Sequence, residues 1–439
     1  MQWSSRAMLR LLIVNILDRE EKIMDEQITT LASLTIDGKG SYGIGASAVP
    51  FSKDLYTYLR ITDIKDDGTL NLQDLKSVDD EKASEYLLKP NDIVFARTGA
   101  STGRNYFYDG TDGEFVYAGF LIKFSIDEKK VNPKYIKYFC QSKQCKDWIN
   151  SFNTGSTRGN INAQTLGKMP IPLIERKTQD ALVCILSSID EKIKKNNEIN
   201  NNLEQQAQLL FKSWFVDFDP FNGTMPSDWK IVPLEKIANF QSGYAFKSKE
   251  LLNEPSQDCY QVFKQGHIAR GGGFIPDGTK SWYPKSLAST LKKFVLKKGD
   301  ILMAMTDMKD NVAILGNTAI MPLDDEFIVN QRVGHIRANG YKGVTYPFIY
   351  LLTNSTDFLV DLRSRANSGV QVNLSSSEIK ASKTILPSEE INNAFSEITI
   401  PMFEIIINNQ LENQRLAKLR DTLLPKLMSS EIDVSEIEF

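Results

Sequence analysis

The chain has 439 residues, of which 41% are apolar and 24% charged, an ordinary composition for a globular protein with two or three domains. Its 52 lysines and arginines nearly balance 55 aspartates and glutamates, so a net charge of -3 excludes a strongly basic protein, and any polyanion-binding surface must be local. The four cysteines and two histidines lack zinc-ligand or disulfide-framework spacing, which predicts a cytoplasmic protein with reduced thiols, no metal and no cofactor.

The first 25 residues contain a short apolar run that is interrupted by Arg10. No small-residue cleavage site follows it, so it matches a signal peptide poorly, and it is too short to span a membrane. We therefore interpret residues 1–25 as an N-terminal extension, to which the sequence assigns no role, and expect no membrane partner.

The rest of the chain repeats itself in order. "KPNDIVFARTG" (89–99) is echoed by "KKGDILMAMTD" (297–307), and a polar loop with a short helix at 153–172 is echoed at 367–387. The offsets are about 204 to 214 residues throughout, which indicates a divergent duplication of one α/β domain followed by one helix. In chain order we predict a first domain over 26–175, a central helix over 176–215, a linker over 216–228, a second domain over 229–387, a C-terminal helix over 388–428 and a tail over 429–439.

Both predicted helices carry apolar residues at alternating spacings of three and four, the pattern of a coiled-coil seam. Each seam is polar in its middle, at Asn196 and Asn200 or at Asn409 and Glu412, so we expect these midpoints to face one another and set the register. Two unrelated surface helices, each packed on its own domain, remain the alternative. The predicted interface comprises Leu182, Leu186, Ile189, Ile193, Asn196, Asn200, Leu203, Leu210, Ile398, Met402, Ile405, Asn409, Leu416 and Leu419.

Catalytic motifs are incomplete. Asp219-Pro220-Phe221 lacks the second proline of the methyltransferase turn, and "GFIPDGTKS" (273–281) displaces the lysine that a phosphate loop requires. Both segments are therefore predicted to be turns, and the chain is expected to bind rather than to catalyse.

The segments "MPIPLIERKTQDALVCILSSIDEKIKKNNEINNNLEQQAQLLFKSWFVDFDPF" (169–221) and "LAKLRDTLLPKLMSSEIDV" (416–434) closely resemble the specificity (S) subunit of type I restriction-modification systems. The resemblance covers nearly everything after residue 26 and departs from it at the N-terminal extension. It implies two similar α/β target recognition domains, joined by two long helices that form an antiparallel coiled coil with pseudo-two-fold symmetry.

The resemblance also implies the function. Each domain would read one half of a bipartite, asymmetric target in double-stranded DNA. The helices would set the gap and dock two modification (methyltransferase) subunits, and restriction subunits would join through the complex. The chain itself would be non-catalytic.

The candidate DNA-binding residues are polar or basic side chains within corresponding loops, because such side chains position on phosphates or read base edges. They are Arg60, Lys65, Arg97, Ser101, Arg104 and Arg158 in the first domain, and Lys264, Arg270, Lys309 and Arg365 in the second. A coiled-coil scaffold with two domains for ligands other than DNA remains an alternative function. A fused restriction-methylation enzyme would need a motor or methyltransferase motif, which the sequence lacks.

Overall fold

The computed structural model describes residues 27–72, 74–152, 159–256, 258–308, 312–368, 371–429 and 431–434. The predicted extension at residues 1–25 lies outside them. The chain folds as two compact units: unit 1 combines the described parts of residues 1–191 and 417–439, and unit 2 is Lys192–Leu416. Each unit contains one α/β domain and parts of both long helices.

Unit 1 contains ten strands in three small sheets. β1 pairs with β10, and the two larger sheets have the strand orders β2-β9-β6-β7 and β3-β5-β4-β8. The pairing is antiparallel except between β4 and β8. The strands are β1 (Gln27–Thr30), β2 (Ser41–Tyr42), β3 (Ala48–Pro50), β4 (Tyr56–Leu59), β5 (Lys76–Val78), β6 (Asp92–Ala96), β7 (Asn105–Tyr108), β8 (Phe115–Tyr117), β9 (Leu121–Ser125) and β10 (Pro170–Leu173).

Unit 2 repeats this topology. β11 pairs with β22, and the sheets β12-β19-β15-β17 and β14-β13-β18 correspond to the two larger sheets of unit 1, again with one parallel pair, β13 and β18. A further small sheet, β16-β21-β20, has been added. The strands are β11 (Lys230–Pro233), β12 (Ala238–Ser242), β13 (Cys259–Phe263), β14 (Trp282–Pro284), β15 (Ile301–Ala304), β16 (Thr306–Met308), β17 (Thr318–Ile320), β18 (Phe327–Val329), β19 (Val333–Ala338), β20 (Asn367–Ser368), β21 (Gln371–Asn373) and β22 (Lys383–Leu386).

A glycine marks the same close approach in both units. A Cβ built on Gly43 would lie 2.2 Å from the carbonyl oxygen of Tyr117, and one on Gly243 would lie 2.2 Å from that of Asn330. The backbone therefore passes so close to a neighbouring strand that no side chain fits at either position. The two polypeptide paths match although the sequences have diverged.

Short helices complete each domain, and their first residues carry expected caps. Asn132 and Ser142 accept backbone hydrogen bonds at the starts of two helices, and Ser375 with Glu378 forms a capping box. The short helices are α1 (Pro133–Gln141), α2 (Lys143–Asn150) and α3 (Ala163–Gly167) before the first long helix, and α5 (Tyr346–Thr353), α6 (Thr356–Ser364) and α7 (Ser376–Ala381) before the second.

The two long helices are α4 (Arg176–Phe215) and α8 (Glu389–Met428), each of 40 residues. In unit 2 the end of α4 enters an aromatic core, where the Phe215 ring lies 4.9 Å from Phe395 and 5.1 Å from Phe348. After Phe215 the chain turns through a short 3-10 segment, Asp219–Phe221, whose aromatic ring packs on Trp229. The segment with the fragmentary methyltransferase motif is thus a packed turn at a helix end.

Polar residues join the two long helices within unit 2. Asn196 Nδ2 donates hydrogen bonds of 2.9 Å to both Glu412 Oε2 and Asn413 Oδ1, and Asn409 Nδ2 donates one of 2.8 Å to Asn200 Oδ1. Higher residue numbers on α4 face lower numbers on α8, so the two helices run antiparallel in this unit. We call Asn196, Asn200, Asn409, Glu412 and Asn413 the polar layer.

Two residues of the predicted helix interface lie elsewhere. Ile398 and Ile405 are 45% and 46% exposed, so their placement in the seam was wrong. The buried face of α8 carries Phe395, Phe403 and Ile406 instead, because the aromatic core of the second domain packs on that side. The remaining predicted positions are buried or half-buried.

Unit 1 is completed by the end of α8. Arg420 Nη1 lies 3.1 Å from Asp190 Oδ1, while Tyr138 Oη and Lys137 Nζ contact the other oxygen of the Asp190 carboxylate. Burial alone raises the pKa of Asp190, but the charges of Lys137 and Arg420 outweigh it and hold this pKa below its usual value. Among the described residues, no helix has the length and apolar character needed to cross a bilayer.

Candidate nucleic-acid interface

Three loops of unit 1 that contain predicted DNA-binding residues come together. The backbone N–H of Gly99 donates to the Gly159 carbonyl (3.0 Å), and that of Ile161 donates to the Arg97 carbonyl (3.0 Å). Arg104 links the third loop, since its Nε donates to Asp66 Oδ1 at 2.6 Å. We call the segments 60–70, 97–104 and 159–162 the unit 1 loop cluster; Arg158 lies just outside the described residues.

The basic residues of this cluster differ in what holds them. Arg60 makes two hydrogen bonds to the Asp63 carboxylate, of 2.6 and 3.0 Å, and these bonds raise its pKa. Arg104 is held by Asp66 and also reaches the hydroxyl of Ser101 at 3.5 Å. Lys65 is exposed and makes no ion pair with any described residue. Of these three predicted residues, the two arginines are bound by carboxylates, and Lys65 has no ion-pair partner among the described residues.

Arg97 is held by an aromatic ring instead of a carboxylate. Its guanidinium carbon lies 4.9 Å from the centre of the Tyr42 ring, a cation–π contact. The Tyr42 hydroxyl accepts a hydrogen bond from the backbone N–H of Ala163 at the start of α3. Arg97 Nε is buried and has no hydrogen-bond partner among the described residues. The arginine is thus oriented while part of its donor capacity remains unused.

Unit 2 brings the corresponding loops together. Gln265 and Thr306 exchange two hydrogen bonds of 2.6 and 2.9 Å, and the N–H of Leu374 donates to the Met305 carbonyl (2.9 Å). Gly273 N–H donates to the Thr318 carbonyl (2.9 Å), closing the turn of the first loop onto β17. We call the described residues of 264–274, 305–317 and 367–374 the unit 2 loop cluster.

The predicted residues of unit 2 occupy different positions in this cluster. Arg270 is exposed at a turn, while Lys264 is half-buried beside the buried ring of His267. Burial lowers the pKa of His267, which favours a neutral ring. Arg365 ends α6 and pairs with Asp361 at 2.5 Å. Lys309 lies outside the described residues.

A buried aspartate anchors the strand that leads into each cluster. Asp92 accepts from the backbone N–H of Lys89 (2.8 Å) and from Ser125 Oγ (2.6 Å), and it pairs with Lys123. Asp300 accepts from the Lys297 N–H (2.7 Å) and from two nitrogens of Arg337. Asp92 is the first residue of β6 and Asp300 directly precedes β15, so each carboxylate fixes the start of a buried strand whose other end leads into the loop cluster.

Sequence reasoning missed two exposed residues next to these clusters, Phe120 directly before β9 and Arg332 directly before β19. Phe120 is 60% exposed, and Arg332 makes no ion pair with any described residue. Extending the internal repeat by one strand would have found them, because "FVYAGFLIKFSI" (115–126) aligns with "FIVNQRVGHIRA" (327–338). In that alignment Phe120 and Arg332 occupy the same position.

Comparison with known proteins gives the family. Residues 52–205 and 226–420 each match the family described as type I restriction modification DNA specificity domain. The chain belongs to this family. The first match begins after β3, the second includes the whole second domain, and together they include most of both long helices, so the duplication seen in the strand topology is also a duplication of the specificity domain.

Two relatives match this chain over most of their length, but at low sequence identity. The type I restriction enzyme MjaIX specificity subunit of Methanocaldococcus jannaschii is 26% identical over 330 residues, 71% of this chain and 72% of the relative. The HindI specificity subunit of Haemophilus influenzae is 23% identical over 414 residues, 79% of this chain and 87% of the relative. The crystal structure of the type I restriction-modification S subunit from M. genitalium has the same fold, with a TM-score of 0.55 at 19% identity, over 93% of this chain and 97% of that one.

Proposed function

We propose that this chain is the sequence-specific DNA-binding subunit of a type I restriction-modification complex, and that each α/β domain reads one half of a bipartite, asymmetric target. The observation that carries the proposal is the duplicated loop cluster: one backbone frame supports three convergent loops in each unit, but with different side chains. Two copies of one frame with different contact residues suit two different half-sites of one duplex.

The charged groups of the clusters divide into two kinds. The free cations Lys65, Arg270 and Arg332 suit phosphate or base contacts without first having to break an ion pair. Arg60, Arg104 and Arg365 are already neutralised by carboxylates, which orient their guanidinium groups and reduce their attraction to phosphates. We therefore expect free cations to contribute most of the salt dependence of binding.

The long helices fulfil the second part of the proposed function, setting the gap between half-sites and docking two modification subunits. Exposed apolar side chains on α4 and α8 support docking: Leu209 is 67% exposed, and Ile398 and Ile405 are nearly half exposed. We propose that these side chains become buried when a modification subunit binds. Restriction subunits would join through the assembled complex.

We propose that the chain itself is non-catalytic and that methyl transfer belongs to the modification subunits. The domain boundaries proposed for this division of labour are 26–175 and 229–387 for target recognition, with spacer helices over 176–215 and 388–428. Purified chain incubated with DNA and S-adenosylmethionine should transfer no methyl groups; transfer by the chain alone would contradict this assignment.

The experiment that tests the whole proposal is sequencing of the methylated sites in cells that express the chain with its modification subunits. The expected result is one bipartite motif with a fixed gap. Replacing residues 26–175 with the matching domain of a relative should change one half of that motif and leave the other half unchanged. Absence of any sequence-selective DNA binding would contradict the proposal and favour a scaffold for other ligands.

A further inference from the structure

Each unit contains an equivalent pair of facing residues, one in the loop cluster and the other directly before the neighbouring strand. In unit 1 the last ladder pair of β6 and β9 is Ala96 with Leu121, and the next backbone bond joins the Arg97 N–H to the Phe120 carbonyl at 3.0 Å. In unit 2 the last pair of β15 and β19 is Ala304 with Val333. There the next bond joins the Met305 N–H to the Arg332 carbonyl at 3.2 Å.

The third loop confirms the equivalence of these positions. The carbonyl of Arg97 accepts from the N–H of Ile161, and the carbonyl of Met305 accepts from that of Leu374. The residue after each of these donors caps a short helix: Asn162 caps α3 and Ser375 caps α7. In each unit the loop before the capped helix therefore meets the facing pair at the same backbone position.

The residue types of the pair are exchanged between the units. Unit 1 has arginine on the first strand and an exposed aromatic ring on the second, whereas unit 2 has Met305, only 7% exposed, on the first and an exposed arginine on the second. Residues directly opposite in an antiparallel ladder project to the same face with Cβ atoms about 4.5–5.5 Å apart. Each unit thus places one arginine and one large apolar residue side by side.

We propose that Arg97 and Arg332 are specificity-determining residues, and that each contacts a guanine in its own half-site. Arginine can donate two hydrogen bonds to guanine N7 and O6, and in unit 1 the exposed Phe120 ring beside it can contact a thymine methyl group or a base face. Neither Arg97 nor Arg332 makes an ion pair with a described residue, so each guanidinium group can bind a base without first breaking one. This inference rests on the proposed function.

The exchange of the arginine and the apolar residue also explains how the same arrangement of strands can read two different DNA half-sites. Moving the arginine from the first strand to the second shifts it by about 5 Å, more than the rise of roughly 3.4 Å between base pairs. The same frame then presents its guanine-reading group at a different position along the duplex in each half-site, without any change in the strands.

The test compares the full chain, expressed with its modification subunits, with the variants Arg97→Lys and Arg332→Lys. Lysine keeps the charge but lacks the planar fork that makes two bonds to guanine. Each variant should lose discrimination at one base pair of one half-site by about 5- to 150-fold, as read from the methylated motif and from competition binding with single-base variants of the target. The other half-site is the internal control for folding.

Arg176→Lys is the matched control in the same unit, because Arg176 pairs with Asp180 at the start of α4, outside the loop cluster; it should leave the motif unchanged. An unchanged motif in both Arg97→Lys and Arg332→Lys, with a clear wild-type bipartite motif, would overturn the inference but leave the proposed function standing. Weakening that is uniform across all sequences would also overturn it, because it would indicate a phosphate contact. Absence of a bipartite motif in the wild type would instead contradict the proposed function.

Discussion

Asn200 and Asn409 are hydrogen-bonded through their side-chain amides at 2.8 Å, although Asn200 is only 8% exposed. The Asn200 Nδ2 group also reaches the Ile406 carbonyl at 3.4 Å. Between two packed helices, such a buried amide fixes which residues face one another, because any sliding of one helix would leave it buried without a partner.

We predict that the two asparagines respond unequally to substitution. Asn409→Leu should lower the free energy of unfolding by roughly 1–3 kcal/mol, because it leaves the buried Asn200 oxygen unpaired. Asn200→Leu should cost less, since Asn409 is half-buried and can bond to water. Urea denaturation followed by tryptophan fluorescence measures both.

The double variant Asn200→Leu, Asn409→Leu should be more stable than the sum of the single effects implies, with a coupling of about 0.5–3 kcal/mol. Asn201→Leu, at an exposed position of the same helix, is the control and should change stability little. Additive single effects would mean that the observed hydrogen bond contributes nothing to the pairing of the helices.

Gly43 and Gly243, which occupy equivalent positions in the two units, give a prediction that distinguishes the units. Gly43→Ala should destabilise unit 1, and Gly243→Ala unit 2, each by at least about 1–3 kcal/mol, because the new methyl group overlaps a backbone carbonyl. Hydrogen exchange measured separately over the two units should locate each effect. Gly45→Ala is the control, since its Cβ would meet no atom within 4 Å. Equal, small effects of all three substitutions would contradict the close approach.

We predict that the buried Asp300 carboxylate makes a contribution to the stability of unit 2 that is lost in acid. Its burial alone raises its pKa, but hydrogen bonds from Arg337 and His335 outweigh burial and hold the pKa of Asp300 below its usual value. The carboxylate therefore stabilises the folded unit fully above the unfolded pKa of about 3.9, and this contribution is lost as pH falls through the lower folded value. Asp300→Asn should cost roughly 1–3 kcal/mol at pH 7 and weaken the pH dependence below about pH 4.

Thermal unfolding of the wild type and of the Asp300→Asn variant between pH 3 and 7 measures this contribution. Asp277→Asn is the control, because the Asp277 side chain is 89% exposed and should give a curve parallel to that of the wild type. A parallel curve for Asp300→Asn as well would show that the network around Asp300 adds no acid-linked stability.

If the helices set the gap between half-sites, lengthening both should widen it. Asn200 and Asn409 face each other, so a heptad inserted after Asn200 and another after Asn408 enter at the same level. Seven residues add about 10.5 Å of helix, equivalent to at most about three base pairs. Methylated sites should then keep both half-sites and show a wider gap.

A heptad in α4 alone is the corresponding control, and it should reduce assembly because Asn196 would no longer face Glu412. An unchanged gap in an assembled complex that carries both insertions would mean that the helices do not determine the spacing.

The long helices show which buried positions sequence periodicity can predict and which it cannot. Leu182, Leu186 and Asn196 recur at heptad-like spacings and are fully buried, as an amphipathic stripe predicts. Ile398 and Ile405 continue a strict heptad on α8 but are exposed. A straight helix drifts by about 20° per heptad relative to a strict seven-residue repeat, and the aromatic core around Phe395 and Phe403 selects a different face. Sequence spacing carries no information about that core.

The loops were less predictable because their contacts join residues far apart in sequence. The repeat located both clusters, but Arg104 meets Asp66 across 38 residues, and Arg97 stacks on Tyr42 from another strand. Which arginines are neutralised by carboxylates and which remain free therefore depends on tertiary pairing. Arg332 was detectable in principle, since it aligns with Phe120 in the repeat, but its residue type differs from its counterpart.

The discontinuity of unit 1 has a consequence for its synthesis on the ribosome. Asp190 and Tyr138 are made early, but their partner Arg420 follows only after the whole of Lys192–Leu416. At about 5–20 residues per second, that interval is on the order of tens of seconds. During it, the Asp190 carboxylate has Lys137 and Tyr138 as partners but lacks Arg420, so unit 1 is incomplete and the nascent chain is exposed to chaperones and proteases. Unit 1, whose first part is synthesised earliest, can therefore complete its fold only after residues 417–439 have been translated.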